Sequence, residues 1–252
     1  MENTAKISKT RYHLIDSIRG FALLNMVAFH LLYDLLIIFS VNTDWAFQPF
    51  TFIWERFICF SFILISGVAL NFSNNSFKRG IILNIFGFLI TIVTVLVIPQ
   101  QAVWFGILNF LGCAMMIMHP LKIYAEKTPP LAGAVFCLLI FMILYGLPDG
   151  YIGFGSLELL KLPDFLYKFK WLAFIGLPSV EFYSTDYFPI FPWIFLFATG
   201  YFVWRFIRDK GLDRFFTLKI PVLSFIGRHT MIVYIVHQPV IMAVLYIISY
   251  TI

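Results

Sequence analysis

The stretch LIDSIRGFALLNMVAFHLLYDLLIIFS, residues 14–40, decides the fold because it is long and apolar enough to cross a bilayer. Yet it carries Asp16 and Arg19 near its start, and Asn25, His30 and Asp34 further along. A charge near the bilayer centre costs at least ~2.5–3.5 kcal/mol, so an ionisable side chain inside a span points to a functional site. This helix is therefore expected to face a protein-lined or watery interior.

The composition indicates a membrane protein. The chain has 252 residues, of which 61% are hydrophobic and only 12% are charged. An ordinary soluble domain is about 25% charged, and a soluble globule with this composition would expose large apolar patches. The net charge of +5 does not indicate nucleic-acid binding, because the basic residues fall in short loops between apolar runs. The three cysteines lie inside apolar runs and predict neither a disulfide nor a metal site.

Apolar runs of about 20 residues predict an all-α bundle with about seven transmembrane helices in a single domain, residues 1–252. The last run is long for one span, and we expect Pro239 to kink it or its end to project beyond the bilayer. The predicted spans are 14–40, 50–72, 80–98, 102–119, 131–147, 187–207 and 221–252.

Lysine and arginine predict the orientation of the bundle, because cytoplasmic loops carry an excess of these residues. With seven spans, the basic loops all fall on one side, which places the N-terminus in the cytoplasm and the C-terminus outside. The loop residues that carry this argument are Lys6, Lys9, Arg11, Lys78, Arg79, Lys122, Lys127, Arg205, Arg208, Lys210, Arg214 and Lys219. We expect a multi-pass protein of the cytoplasmic (plasma) membrane, in contact with membrane lipid.

The long connection at residues 148–186 combines mixed charges with aromatic residues. This pattern predicts an amphipathic stretch lying at the external membrane interface. Two interpretations stay open: a plain cover on the bundle, or a functional segment that is a lid or part of an acceptor site.

The polar residues of the first span have a helical spacing. Arg19 and His30 are eleven residues apart, which is close to three turns and about 16 Å of depth. Asp34 is at i+4 from His30 and within reach of its imidazole, and Asp16 can pair with Arg19. The spacing suits a long anionic donor whose reactive end reaches a neutral His30, acting as general base with Asp34 fixing its tautomer. The alternative is an interfacial Asp16–Arg19 pair with a structural His30.

The last span also carries basic and polar residues. Arg228 and His229 lie near its start and are candidates for binding phosphate, although a positively charged cytoplasmic anchor explains them equally well. His237 and Gln238 lie deeper, at a depth comparable with His30 if both helices start at the cytoplasmic face. These two residues are candidates for the substrate-binding side of a shared polar cavity.

Asp186 precedes two prolines that are three residues apart, in DYFPIFPW. Such prolines favour a pre-shaped helix start, and Asp186 is suited to cap it. The alternative is a carboxylate at the external mouth that binds the substrate.

Four motifs together resemble the catalytic-domain family of heparan-α-glucosaminide N-acetyltransferase, in a short bacterial form. They are IDSIRGFALLNMVAFH (15–30), FILISGVAL (62–70), DYFPIFPW (186–193) with Gly200 following, and FIGRHTMIVYIVHQP (225–239). The spacing of Arg-Gly-x-Ala and His in the first span is also similar to the membrane acyltransferase type 3 family. The resemblance implies transfer of an acetyl group from cytoplasmic acetyl-CoA to an extracytoplasmic acceptor, often a sugar amine or hydroxyl, with Arg19 on the donor side and His30 in mid-membrane.

The sequence therefore predicts an acyl-CoA-dependent O- or N-acetyltransferase without a metal, whose acceptor is a sugar or a cell-envelope glycan. It would use His30 and Asp34 in catalysis, Arg19, Arg228 and His229 for the donor, and Asp186, His237 and Gln238 for the acceptor. A homodimer is left open. The competing class is a proton-coupled transporter of a small polar solute, for which intramembrane His and Asp are equally natural.

Overall fold

The computed structural model describes residues 11–39 and 43–251. It is an all-α polytopic membrane bundle, and within these residues seven helices are long and apolar enough to cross a membrane, as predicted. Lys6, Lys9, Ser40 and Ile252, which the sequence assigns to the first basic segment or to span ends, lie outside the described residues. The α-helices are α1 (His13–Tyr33), α2 (Pro49–Leu70), α3 (Ser76–Val97), α4 (Ile107–Lys127), α5 (Pro130–Leu144), α6 (Ile190–Asp209), α7 (Pro221–Arg228) and α8 (Thr230–Thr251).

The chain forms two compact units. The first comprises Met1–Ile65 and Ile207–Ile252, and the second comprises Ser66–Phe206, so α2 and α6 each contribute residues to both. A π-helical turn, Asp34–Ile38, continues α1, and a 3₁₀ turn, Thr43–Phe47, precedes α2.

In the first unit, α1 packs against α7 and α8 in a constant register. Ser17 meets Ser224 and Gly20 meets Gly227, so the partners in both pairs are 207 positions apart. The helices therefore run parallel. The two backbones approach so closely at the glycines that a Cβ on Gly227 would lie 2.9 Å from the backbone nitrogen of Gly20. Small residues at a helix interface allow this approach in a bilayer, where packing must replace the hydrophobic effect.

In the second unit, glycines again set the closest helix contacts. A Cβ on Gly80 of α3 would lie 2.6 Å from the carbonyl oxygen of Gly112 in α4, and one on Gly67 would collide with the carbonyl oxygen of Phe197 in α6. At the C-terminal end of α4, Arg205 donates hydrogen bonds to the carbonyl oxygens of Ala125, Glu126 and Thr128. These bonds satisfy carbonyls that a helix C-terminus leaves unpaired.

Two predicted spans differ from the structure. The fourth begins at Ile107 rather than at residue 102 and continues to Lys127, so His119 lies inside it. The His119 ring is held there by a 2.8 Å hydrogen bond between its Nδ1 and the Ser76 hydroxyl. The last span is two helices that separate at His229, whose ψ of 19° leaves the helical range, whereas α8 continues through Pro239.

The segment between α5 and α6, for which an amphipathic stretch at the external interface stays a prediction, has regular structure of its own. It forms an antiparallel hairpin, β1 (Tyr151–Phe154) with β2 (Leu157–Lys161), followed by two 3₁₀ turns, Asp164–Tyr167 and Lys170–Ile175. Gly153, with φ of 150°, lies at the register shift of the hairpin, where a side chain would collide with the carbonyl oxygen of Leu157.

Candidate active site

The two deep histidines meet where α1 contacts α8. The ring centroids of His30 and His237 are 4.9 Å apart, and the pair keeps the 207-residue register of the serine and glycine contacts. The structure thus brings together two residues that the sequence assigned to different roles.

His237 is held in one tautomer. Its Nδ1 lies 2.6 Å from the carbonyl oxygen of Tyr234, and a carbonyl only accepts hydrogen bonds, so the Nδ1 must carry the hydrogen. In the neutral ring this leaves the lone pair on Nε2. That atom is buried and has no hydrogen-bond partner among the described residues. A ring with a fixed tautomer and an unoccupied Nε2 is suited to accept a proton.

The prediction that Asp34 orients His30 is wrong. Asp34 is fully buried, and both of its carboxylate oxygens accept hydrogen bonds from Gln238 Nε2, at 3.1 and 2.9 Å. A buried carboxylate needs hydrogen-bond donors in place of water, and the side-chain amide of Gln238 on α8 supplies them. Asp34 therefore ties α1 to α8 beside the histidine pair, at the first residue of the π-helical turn.

Gln238 has one atom left over. Its Oε1 is buried and lacks a partner within the part of the chain that the structure describes. Next to it in sequence, Pro239 has no N–H, so the carbonyl of Ile235 loses its usual helical hydrogen bond. The contact between α1 and α8 around His30 and His237, the deep contact, thus contains several polar atoms that can still form hydrogen bonds.

The basic residues lie about three turns before the histidines, on α1 and on α7. Asp16 pairs with Arg19 at 3.5 Å, as predicted, and also with Arg11 at 2.9 Å. In α7, the Arg228 Nε donates to the carbonyl oxygen of Ser224 and the guanidinium lies 5.8 Å from the Phe225 ring. The α1–α7 contact therefore brings the two helices that carry these arginines side by side.

His229 is directed back onto α7. Its Nδ1 donates to the carbonyl oxygen of Phe225 at 2.8 Å, and its ring packs 4.6 Å from the Phe225 ring. A role for His229 in binding phosphate stays a prediction.

Asp186 caps α4, a helix that the sequence does not suggest. Its Oδ2 accepts a 2.9 Å hydrogen bond from the backbone N–H of Ile107 at the start of that helix. The backbone N–H of the neighbouring Thr185 donates a hydrogen bond to the carbonyl oxygen of Ala102, which attaches this segment to the loop before α4. Substrate binding by Asp186 is untested by these contacts and stays a prediction.

One comparison with known proteins identifies the family. The model of the heparan-α-glucosaminide N-acetyltransferase catalytic domain matches residues 11–239. The chain belongs to this family. Membership identifies a transmembrane acetyltransferase in general, and the matched region ends just after His237 and Gln238. No curated protein and no solved structure matches the chain. The similarity of the first helix to the type 3 family stays a prediction.

Sequence reasoning missed the contact that organises the site of this acetyltransferase-family chain. The tetrapeptides SIRG (17–20) and SFIG (224–227) share the spacing Ser-x-x-Gly, and each is followed by a span with a histidine ten residues beyond its glycine. That repeated pattern was the available signal for the parallel register. No comparable signal reveals Gln238 as the partner of Asp34.

No metal site is recognisable in the part of the chain that the structure describes. Residues 11–39 and 43–251 contain no group of three or more His, Cys, Asp and Glu side chains that could hold an ion.

Proposed function

We propose that this protein transfers an acetyl group from cytoplasmic acetyl-CoA to a hydroxyl or amine of an extracytoplasmic sugar, carried on a cell-envelope glycan. The whole chain acts as one transmembrane acyltransferase domain of the plasma membrane, with the N-terminus in the cytoplasm and the C-terminus outside. The proposal combines the family membership with the charge bias of the loops.

The observation that carries the proposal is the parallel contact of α1 with α7 and α8. It has arginines near one end and a histidine pair, with ring centroids 4.9 Å apart, about 16 Å further along α1. Arg19 and Arg228 supply planar, permanently charged groups that suit the phosphates of CoA. The histidine pair then meets the thioester at the other end of an elongated donor.

The residues of the deep contact have separate roles in this reaction. The Nε2 of His237 accepts the proton of the acceptor hydroxyl or amine as that group attacks the thioester carbonyl. A new C–O or C–N bond forms, the C–S bond breaks, and the departing CoA thiolate takes the proton from His237. His30, from the facing helix, completes the basic pair, and Gln238 Oε1 accepts a hydrogen bond from the acceptor.

Slow hydrolysis of the donor tests the proposal without knowledge of the acceptor. Purified protein in detergent is expected to bind acetyl-CoA and to release the CoA thiol, which a thiol-reactive dye measures. His30→Ala and His237→Gln should abolish thiol release and retain binding. His13→Gln is the matched control, because it removes a histidine from the first turn of the same helix.

Two outcomes would contradict the proposal. Absence of acetyl-CoA binding at millimolar concentration would exclude this donor. Uptake of a solute into liposomes, driven by a proton gradient and lost in His237→Gln, would instead favour the proton-coupled transporter.

A further inference from the structure

A cleft of about 500 Å³ lies in the second unit, formed by the segment that connects α5 to α6. This volume is within the range of about 300–1,000 Å³ that is typical of small-molecule sites. Carboxylates, phenols and hydroxyls alternate with apolar side chains around it. Its lining comprises Pro148, Asp149, Gly150, Lys161, Leu162, Asp164, Tyr167, Pro178, Ser179, Val180, Phe182, Tyr183, Ser184 and Tyr187.

Two of the tyrosines form fixed walls of the cleft. The Tyr167 hydroxyl donates to the carbonyl oxygen of Leu147 at 2.6 Å, and the Tyr187 hydroxyl donates to that of Ala173 at 2.5 Å. Burial raises the pKa of both phenols, so they stay neutral and keep these bonds. Because both hydroxyls already form these hydrogen bonds, the aromatic rings of Tyr167 and Tyr187 are the groups available to a ligand.

The charged side chains of the lining, in contrast, are not paired. No side-chain hydrogen bond or ion pair to the described residues is made by Asp149, Asp164 or Lys161. On the same segment, Lys170 does form an ion pair, with Glu181 at 2.8 Å. The cleft therefore holds two open acceptors and one open donor.

A buried hydroxyl adds to this set. Ser179 is only 9% exposed, and its Oγ has no hydrogen-bond partner within the described chain. An unsatisfied buried hydroxyl is unfavourable until a partner reaches it. Its presence in the lining indicates that the cleft is completed by a polar ligand or water rather than by apolar packing.

We infer that this cleft binds an uncharged, hydroxyl-rich sugar unit of a glycan. Carboxylates accept from sugar hydroxyls, lysine donates to them, and aromatic faces pack against the apolar faces of pyranose rings. The two carboxylates disfavour an acidic sugar. The inference rests on the proposed function only in taking the ligand to be part of the glycan acceptor. Binding itself needs no acetyl transfer.

Binding of neutral saccharides to the full-length protein tests the inference. The protein is purified in a detergent without a sugar headgroup, which would otherwise compete, and the probes are cellobiose, maltose, N,N′-diacetylchitobiose and glucuronic acid. Saturable binding of at least one neutral disaccharide, tighter than that of glucuronic acid, is expected by titration calorimetry. Failure of all three neutral probes to bind, or tighter binding of the acid, would overturn the inference.

Matched variants assign the binding to the cleft. Asp149→Asn and Asp164→Asn keep size and shape, and each should weaken saccharide binding about tenfold through loss of a charge-assisted hydrogen bond. Glu158→Gln, on β2 and outside the lining, should have no effect. Unchanged affinity in both aspartate variants would contradict the assignment. Thiol release from acetyl-CoA should be equal in all three variants, so a failed proposed function and a failed saccharide site give different results.

Discussion

Helix α1 makes two contacts of different kind with the helices parallel to it. Near its start, Ser17 and Gly20 lie against Ser224 and Gly227, the two hydroxyls are 2.7 Å apart, and both are within 3.1 Å of the His13 carbonyl oxygen. Three turns further along, the same register brings His30 to His237. There the helices meet through polar side chains rather than through their backbones.

The difference separates stability from chemistry. Every hydroxyl of the first contact has a partner, whereas His237 Nε2 and Gln238 Oε1 in the second have none among the described residues. Each such buried atom costs about 1–3 kcal/mol. Buried polar atoms without hydrogen bonds are typical of functional sites, and their free-energy cost is offset elsewhere in the fold. The backbone contact is the element that holds the register in which His30 and His237 meet.

The largest expected effect is on catalysis, at the second contact. His237→Gln keeps a polar side chain but removes the basic Nε2, so kcat for acetyl transfer should fall about 10³-fold, as for loss of a general base. The melting temperature should change much less than kcat, because Nε2 makes no bond in the described structure and the ring loses only its Nδ1 hydrogen bond to Tyr234. Steady-state kinetics and a thermal-shift assay on the same preparation measure both. A large fall in melting temperature with normal kcat would reverse the roles of the two contacts.

At the first contact, the expected effect is on stability. Gly227→Ala places a methyl group 2.9 Å from the backbone nitrogen of Gly20 and against the Asp16 carbonyl, and neither backbone group can move aside. Overpacking of this kind costs about 1–3 kcal/mol. The free energy of unfolding in detergent should fall by about 3 kcal/mol, with kcat reduced because the histidines lose register.

Ala28→Val is the control for that substitution. It adds volume to α1 at an exposed position, so stability should stay within about 0.5 kcal/mol of the wild type. If Gly227→Ala were equally harmless, the glycine contact would not be what fixes the register.

An intermediate effect is expected for the hydrogen-bonded pair of Asp34 with Gln238, which lies beside the histidines. Asp34→Ala removes both hydrogen bonds and should lower the unfolding free energy by about 1–3 kcal/mol and kcat more modestly than His237→Gln. Asp34→Asn retains a carbonyl acceptor for the amide and should restore most of the stability. A double-mutant cycle with Gln238→Ala should show strong coupling, because either change alone breaks the same pair. Additive losses would mean that Asp34 acts through another group.

The sequence predicts the first contact less well than it predicts the number of spans. Hydropathy finds seven spans because each needs about 20 apolar residues, whatever its partners. It cannot locate the break at His229, which depends on one backbone dihedral, and it favours Pro239, where α8 in fact continues. Proline lacks one donor, but a helix can pass through it in a membrane when neighbouring groups satisfy the freed carbonyl.

The sequence predicts the part of the candidate site that depends only on how far along its helix each residue lies. His30 and His237 meet because parallel helices place equal sequence depths side by side. The partner of Asp34 was not predictable, since the i,i+4 rule compares positions on one helix and ignores an amide from a neighbouring helix. For the same reason the capping of α4 by Asp186 follows from the tertiary fold, not from the prolines beside it.

The smallest expected effect tests whether the arginine end of α1 serves the donor. Arg19→Ala removes a guanidinium that is 22% exposed and lies 3.5 Å from Asp16, and a partly exposed ion pair of this kind contributes at most about 1 kcal/mol to stability. If Arg19 binds phosphate, KM for acetyl-CoA should rise about tenfold at constant kcat, because a contact made equally in ground and transition states affects binding alone. Arg11→Ala is the matched control, since it breaks the other ion pair of Asp16 from outside the span. A fall in kcat with unchanged KM would mean that Arg19 acts near the reacting atoms and that the donor enters from the histidine end of the helix.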